Sequence, residues 1–368
     1  MSRKSKAVIC RELNKPVVVE TIYVDGPKRG EATVKLAACG VCHSDLSATN
    51  GTIMLPPPLV LGHEAAGEVV EVGEGVTSLA VGDHVVTSFI YMCGKCRFCS
   101  SGRPVLCLEQ HKALTTPLEG TPRTRDAGGK PLGIFSGCGV MAEYATVSIE
   151  NLVKIDPKIP LDRAALVGCA VTTGVGAVFN TARVEPGSTV AVFGCGGVGL
   201  NVIQGAAIAG AERIIAIDTI PAKLEMAKKF GATDAIVAKP DEDIAKALKK
   251  MTGIGPDYAF ECVGVGALAE AAYRAIRRGG KAIVVGVARP TDAISFKPMS
   301  MVFEEKTIAG SYFGSCVPRV DFPRMLHLYM AGKLKLDELI TRRYNVDEAP
   351  QAFADLESGK NARGVIMF

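Results

Sequence analysis

The sequence predicts an α/β chain in two parts, a mostly-β domain followed by a doubly wound parallel sheet with helices on both faces. Three observations carry that prediction. Up to about residue 170, short β-prone runs are broken by glycine and proline, the texture of a turn-rich β domain. Beyond it, strands and helical segments alternate as repeated βα units, which build a parallel sheet. The length of 368 residues suits two domains, and a hydrophobic share of 48% is too high for a disordered chain.

In chain order, the first part holds the β-prone runs Thr33–Ala37, Ala66–Val72, His84–Thr87 and Ala142–Val147. Pro117–Pro131 is polar and rich in glycine and proline, so it reads as a long surface loop. In the second part, strand Thr189–Phe193 leads into a helix over Gly197–Ala209. Strand Arg213–Ile217 leads into a helix over Pro221–Phe230, with proline at its favoured opening position. Strands Asp234–Val237, Asp257–Glu261 and Lys281–Val285 alternate with helices Asp241–Met251 and Ala267–Arg277, and Thr307–Ser311 makes a sixth strand. Past Phe313, a helix at Pro323–Ala331 and a strand at Gly364–Phe368 either extend the second domain or return to the first.

Composition excludes several roles. The formal charge of +4 is spread along the chain without a basic run, which argues against a nucleic-acid partner. No apolar stretch has the length of a membrane span. The basic start Met1–Lys6 is followed only by Ala7, Val8 and Ile9 before Cys10-Arg11, too short a core for an export signal. The 12 cysteines therefore read as ligands and reduced thiols, and a cytoplasmic location is expected.

Four of those cysteines, Cys93, Cys96, Cys99 and Cys107, lie close enough in sequence to wrap one ion. Four thiolates with no position for water are the mark of a closed, structural zinc site, although iron–sulfur clusters also use four cysteines and the spacing leaves the metal open. Gly194-Cys195-Gly196-Gly197-Val198-Gly199 reads G-x-G-x-x-G directly after a predicted strand and opens a predicted helix, the setting of a Rossmann dinucleotide fingerprint. Gly194 allows the tight turn, Gly196 lets a pyrophosphate approach the backbone, and Gly199 lets helix pack on strand. Asp218 ends the next strand, where a carboxylate accepts hydrogen bonds from ribose hydroxyls and repels a 2′-phosphate. That favours NAD over NADP. Lys223 stands five residues further on. Cys42, within Cys42-His43-Ser44-Asp45, His63, within Gly62-His63-Glu64, and Cys169 remain. Two thiolates and an imidazole form a recognised catalytic zinc set with one position open, yet each taken singly reads equally as a core thiol or core histidine.

In this order these motifs resemble the zinc-containing medium-chain alcohol dehydrogenases over essentially the whole chain, through Gly359-Lys360-Asn361-Ala362-Arg363. The resemblance implies a GroES-like catalytic domain, residues 1–170 and 313–368, around a NAD-binding Rossmann domain, residues 171–312. It implies two zinc ions per chain, a catalytic one at Cys42, His63 and Cys169 and a structural one at Cys93, Cys96, Cys99 and Cys107. Ser44 matches the group that accepts the alcohol proton, Asp45 the carboxylate that orients His63, and Glu64 the acid beside the metal. His43, Thr173, Gly197, Val198, Lys223, Val287 and Arg363 join Gly194, Gly196, Gly199 and Asp218 as coenzyme-binding residues. Ile53, Phe89, Phe135 and Val287 fall at the substrate pocket. An apolar lining rewards hydrocarbon burial at roughly 25 cal/mol per Å², so primary alcohols larger than ethanol, medium-chain or aromatic, are the expected substrates. The long segment between Cys107 and Phe135 resembles the type that forms homodimers.

Three departures from the family pattern stand out. Ser47 occupies the place of a proton-relaying histidine. His43 replaces an arginine that contacts pyrophosphate, so looser coenzyme binding, or compensation by Arg363 at the pyrophosphate, is expected. His111 occupies the place of an arginine that grips the glutathione carboxylate in the formaldehyde-oxidising relatives, and a neutral imidazole lacks its fixed charge and fork. Two other readings share the ligands: an alcohol dehydrogenase that keeps its NAD(H) bound and uses an external electron acceptor, and a non-catalytic zinc-stabilised binding protein.

Overall fold

Among the described residues, ten strands precede residue 160: β1 (Arg3–Cys10), β2 (Val18–Val24), β3 (Glu31–Val41), β4 (Leu59–Val60), β5 (Ala65–Val72), β6 (His84–Thr87), β7 (Thr124–Asp126), β8 (Gly133–Ile134), β9 (Tyr144–Ser148) and β10 (Leu152–Lys154). The computed structural model describes residues 2–118, 120 and 122–368. The 11-residue β3 organises this region, pairing antiparallel with both β5 and β9. Nearly every β3 side chain is buried, because the sheet is covered on both faces. Val34, Leu36, Val69, Val85, Val147 and Phe353 meet in one core, where each large side chain contributes about 1.5–3 kcal/mol of burial. A second sheet runs in the order β7-β2-β1-β4-β8.

Two features of this region differ from the sequence expectation. The basic start is half of β1, in register with β2 from Arg3↔Val24 to Ile9↔Val18, and Arg3 pairs with Glu71 at 3.0 Å. The segment Pro117–Pro131 is not loop throughout, since β7 lies inside it and pairs with β2. What anchors it is charge rather than apolar content. Arg123 is 5% exposed and holds Glu31 through two bonds of 2.7 and 3.0 Å, so a polar sequence enters the fold. Glu119 and Thr121, within the expected loop, lie outside the described residues.

The chain continues through β11 (Thr189–Phe193), β12 (Arg213–Asp218), β13 (Asp234–Val237), β14 (Tyr258–Glu261), β15 (Lys281–Val284) and β16 (Thr307–Gly310). All are parallel, in the order β13-β12-β11-β14-β15-β16. Helices Gly197–Ile208, Pro221–Lys229, Ile244–Thr252, Gly266–Ala275 and Pro298–Glu304 connect them. The third begins at Ile244, not Asp241, because the Asp243 carboxylate caps it by accepting from the Lys246 amide at 3.2 Å. The chain builds outward from β11 to one side and then from β14 to the other. The gap between β11 and β14 is therefore where strand order reverses, the position at which such sheets bind ligands.

Helix Pro318–Met330 starts five residues before the expected Pro323, which sits inside it. Then come β17 (Ile340–Asn345) and β18 (Arg363–Met367). β18 lies parallel to β17 and antiparallel to β3, from Gly364↔Val41 to Met367↔Ala38, so the tail returns to the first region. Two compact units result: Met1–Cys169 with Val317–Gly332 and Leu336–Phe368, and Ala170–Cys316 with Lys333–Lys335. Among the described residues, no single helix is long and apolar enough to cross a membrane.

Candidate metal and coenzyme sites

Cys93, Cys96, Cys99 and Cys107 converge, with their four sulfurs all within 4.8 Å of one another. The geometry is made locally. Cys96 caps the turn Arg97–Ser100 by accepting from the Cys99 amide, Cys93 accepts from the Cys96 amide at 3.3 Å, and Cys107 accepts from the amides of Cys93 and Glu109. Amides aimed at sulfur favour thiolate. The Cys99 amide pulls Cys96 down to about 6, while burial pushes Cys99 up to about 12. The Cys93 and Cys99 sulfurs are 3.9 Å apart, far beyond a disulfide. Two 2.3 Å zinc–sulfur bonds at a tetrahedral angle place sulfurs about 3.8 Å apart. The site fits a single zinc ion, and four sulfurs this close leave no space for a multinuclear cluster.

The second group is dispersed in sequence and assembled by the β unit. Cys42 follows β3 at the start of helix His43–Thr49, His63 and Glu64 lie between β4 and β5, and Cys169 closes the segment after helix Leu161–Ala165. One donor atom from each of the four lies within 4.8 Å of the others, and all four residues are buried. The Cys42 and Cys169 sulfurs stand 3.9 Å apart, again the spacing of a shared tetrahedral ion. His63 Nε2 and Glu64 Oε2 are buried without hydrogen-bond partners, donors left for something else to satisfy. Zinc is thus matched by donor type, spacing and orphaned atoms alike.

The surroundings hold these donors in place. Asp45, fully buried, faces His63 Nδ1 at 3.2 Å and accepts from the Gly62 amide at 2.8 Å. The imidazole is wedged edge-on between Phe89 and Phe135, with ring centroids 5.5 and 5.3 Å away. Thr87 donates to the His63 carbonyl and accepts from the Ala65 amide. Burial opposes charge on His63, but Asp45 and then Cys42 hold its pKa well above the ordinary value. The contact with Cys169 draws Cys42 well below the usual thiol range, with His63 adding to the effect. Burial pushes Glu64 up to about 7 despite an ion pair with Arg363, whose guanidinium is 4% exposed.

The remaining expected residues fall as follows. Ser44 is half-buried, its oxygen 3.7 Å from the Cys42 sulfur, while His43 is exposed and Ser47 half-buried. Ile53 packs against the β-unit core and Phe135 is part of it. Arg363, expected at the pyrophosphate, is placed against Glu64. In the second unit, Gly194 adopts φ +92° and a Cβ on Gly199 would strike the Gly194 carbonyl at 1.8 Å, whereas a Cβ on Gly196 would meet open space. The helix Gly197–Ile208 therefore has a bare, uncapped N-terminus, a cradle suited to pyrophosphate. Asp218 accepts from the amides of Cys195 (2.8 Å) and Ile220 (3.0 Å). Val198 lies in the helix's first turn and Lys223 in that of Pro221–Lys229. Thr173 is half-buried on helix Ala170–Gly176, and Val287 is 74% exposed after β15. Sequence reasoning missed Thr87, the ring clamp on His63 and the partner of Arg363. A threonine or phenylalanine in a strand carries no signal of what it will support.

Known proteins bear on this geometry. An alcohol dehydrogenase GroES-like domain matches residues 28–157, and a zinc-binding dehydrogenase family matches residues 197–331. An S-(hydroxymethyl)glutathione dehydrogenase from Synechocystis sp. is 42% identical, covering 99% of this chain and 100% of its own. An NDMA-dependent alcohol dehydrogenase from Amycolatopsis methanolica is 41% identical over 99% of both chains. The crystal structure of benzyl alcohol dehydrogenase from Acinetobacter calcoaceticus superposes with a TM-score of 0.92 at 32% identity, over 100% of this chain and 99% of that one. With two zinc-matched donor sets and a dinucleotide cradle, the chain belongs to the zinc-containing medium-chain alcohol dehydrogenase family.

Proposed function

We propose that this chain oxidises primary alcohols, medium-chain or aromatic, to aldehydes with NAD, and runs the reverse reaction. The observation that carries the reading is the Cys42, His63 and Cys169 donor set with an apolar, ring-lined flank. When bound, zinc supplies Lewis acidity that lowers an alcohol's pKa, and NAD supplies the hydride acceptor. The chain's own residues do the rest. Ser44, beside Cys42, would relay the alcohol proton, taking it up on its oxygen while its own hydroxyl proton passes on toward the coenzyme ribose. Asp45 fixes the tautomer and tilt of His63, and Phe89 and Phe135 keep the imidazole dry. Ile53, Phe89 and Phe135 give a hydrocarbon chain or ring an apolar wall. Glu64 and Arg363 form a buried acid–base pair beside the donors. In the second unit, Gly194, Gly196, Gly197, Val198 and Gly199 cradle pyrophosphate, and Asp218 selects NAD, with Thr173, Lys223 and Val287 as further coenzyme contacts. Benzyl alcohol as the substrate named for one structural relative supports the aromatic reading.

Two relatives favour other readings. One is named for S-(hydroxymethyl)glutathione, but His111 is exposed here and its Nδ1 lies 3.1 Å from the Leu108 carbonyl, so it offers no fixed cation. The other is named for dependence on NDMA, which suits a chain that keeps its NAD(H) bound and passes electrons to an external acceptor. A panel of ethanol, hexanol, benzyl alcohol and the glutathione adduct, run with NAD and with NADP and alongside zinc quantification, tests all three. Expected are two zincs per chain and faster turnover of benzyl alcohol and hexanol than of ethanol. Turnover of those two far below ethanol sinks the substrate class, and stoichiometric bound NADH without activity on added NAD favours the second relative.

The chain also fits a homodimer. β16 is one open edge of its sheet, and helix Pro298–Glu304 exposes Met299, Val302 and Phe303 at 71, 72 and 78%. An apolar face beside an unpaired edge is self-complementary about a twofold axis, and molar mass in solution decides it. Sulfurs 3.9 Å apart at both donor sets, too far for a disulfide, suit a reducing compartment such as the cytoplasm.

A further inference from the structure

Glu261 ends β14 opposite Phe193, the last residue of β11, so it stands at the point where strand order reverses. It is 1% exposed, and no apolar core strand needs a carboxylate there. Its Oε1 accepts from the amides of Val263 at 2.8 Å and Gly264 at 2.7 Å, with the Val265 amide at 3.4 Å. Its own carbonyl accepts from the amides of Val285 and Gly286 at 2.8 and 3.0 Å. One residue therefore ties together the turns that follow β14 and β15.

Those turns are in tight register. Gly264 has φ +88°, and a Cβ there would meet the Val287 carbonyl at 2.5 Å. A Cβ on Gly286 would meet the Gly264 amide at 2.1 Å and Glu261 Oε2 at 2.8 Å. On the other side, a Cβ on the fingerprint residue Gly194 would meet the Val263 side chain at 2.5 Å. The loop held by Glu261 thus abuts both the pyrophosphate turn and Val287. The two turns together present exposed Val263 and Val265, after β14, and Val287, after β15, at 52, 41 and 74%. With the adenosine ribose at Asp218 on β12 and the pyrophosphate over β11, the other half of a dinucleotide runs toward β14 and β15.

We infer that Glu261 is a positioning residue for the nicotinamide end of the coenzyme, holding the β14 and β15 turns at the height that a flat ring requires. The inference rests on the NAD reading given above. Burial pushes the Glu261 pKa up, and the Gly264, Val263 and Val265 amides oppose that shift by favouring the carboxylate.

The test compares NADH, which has a nicotinamide, with ADP-ribose, which lacks one, by equilibrium binding to the zinc-loaded protein. In Glu261→Ala the NADH dissociation constant rises about tenfold while that of ADP-ribose stays within about twofold, the size expected for losing a small hydrogen-bond cluster at one end of a ligand. Glu261→Gln, which keeps an oxygen acceptor, restores NADH binding. Gly264→Ala, which forces the turns apart without touching the carboxylate, gives the same split and serves if Glu261→Ala does not fold. Equal losses for both ligands, or no loss for either, overturn the inference. Wild-type protein that binds neither ligand overturns the coenzyme reading itself, and the inference with it.

Discussion

The two cysteine-based sites are built on opposite plans. Cys93, Cys96, Cys99 and Cys107 come from one short stretch, the first three partly exposed and Cys107 buried, and their sulfurs accept hydrogen bonds from backbone amides of that same stretch. Cys42, His63 and Cys169 come from three distant places, are 2–7% exposed, and depend on side chains from still others: Asp45, Thr87, Phe89, Phe135 and, through Glu64, Arg363. A site closed by local chain can fold a lobe but has no open position. A site supported by a whole sheet can hold donors rigidly while leaving two buried atoms, His63 Nε2 and Glu64 Oε2, without protein partners.

That contrast can be broken by experiment. The largest effect belongs to Cys42→Ala, expected to lower kcat by about 10³-fold or more by removing a metal ligand, with a circular-dichroism melt close to wild type. Cys99→Ala should do the reverse. Losing one of four closed ligands costs several kcal/mol, a drop of about 5–10 °C in Tm, with residual activity tracking the folded fraction. Asp45→Asn should lie between them, lowering zinc affinity about 10–100-fold at the buried site only, read by competition with a chelator.

The smallest effect is a pH slope. The Glu64 pKa is raised from 4.5 to about 7, so the folded state binds its proton more tightly than the unfolded state does. Relative to Glu64→Gln, metal-free wild type should lose up to about 3 kcal/mol of stability as pH rises from 4.5 to 7, and no more above that. A wild-type minus Glu64→Gln difference in urea unfolding that is flat across this window would show that burial does not govern the carboxyl.

Much of the second unit was legible because parallel strands buried on both faces read as continuous apolar runs, as in Ile214-Ile215-Ala216-Ile217. The fingerprint was legible because backbone geometry there demands glycine at named positions. β1 and β7 were not, because Arg3, Lys4, Lys6 and Arg125 give them the composition of a tail and a loop, and their pairing with β2 is a long-range choice. Likewise, Arg363 could be aligned with a family position but its partner could not. Glu64 is 299 residues away, and only the insertion of β18 beside β3 brings the two together.

That separation has a consequence for how the protein is made. At ribosomal rates of roughly 5–20 residues per second, Cys42, His63 and Cys169 all leave the tunnel about 10–40 s before Arg363 follows. For that interval the three metal donors are translated while Glu64 lacks the Arg363 guanidinium, and the Ala170–Cys316 sheet is completed only toward its end, once β16 has emerged. The nascent chain therefore passes through a window in which its thiols meet whatever metal or oxidant the cell offers. The insertion of β18 ends that window.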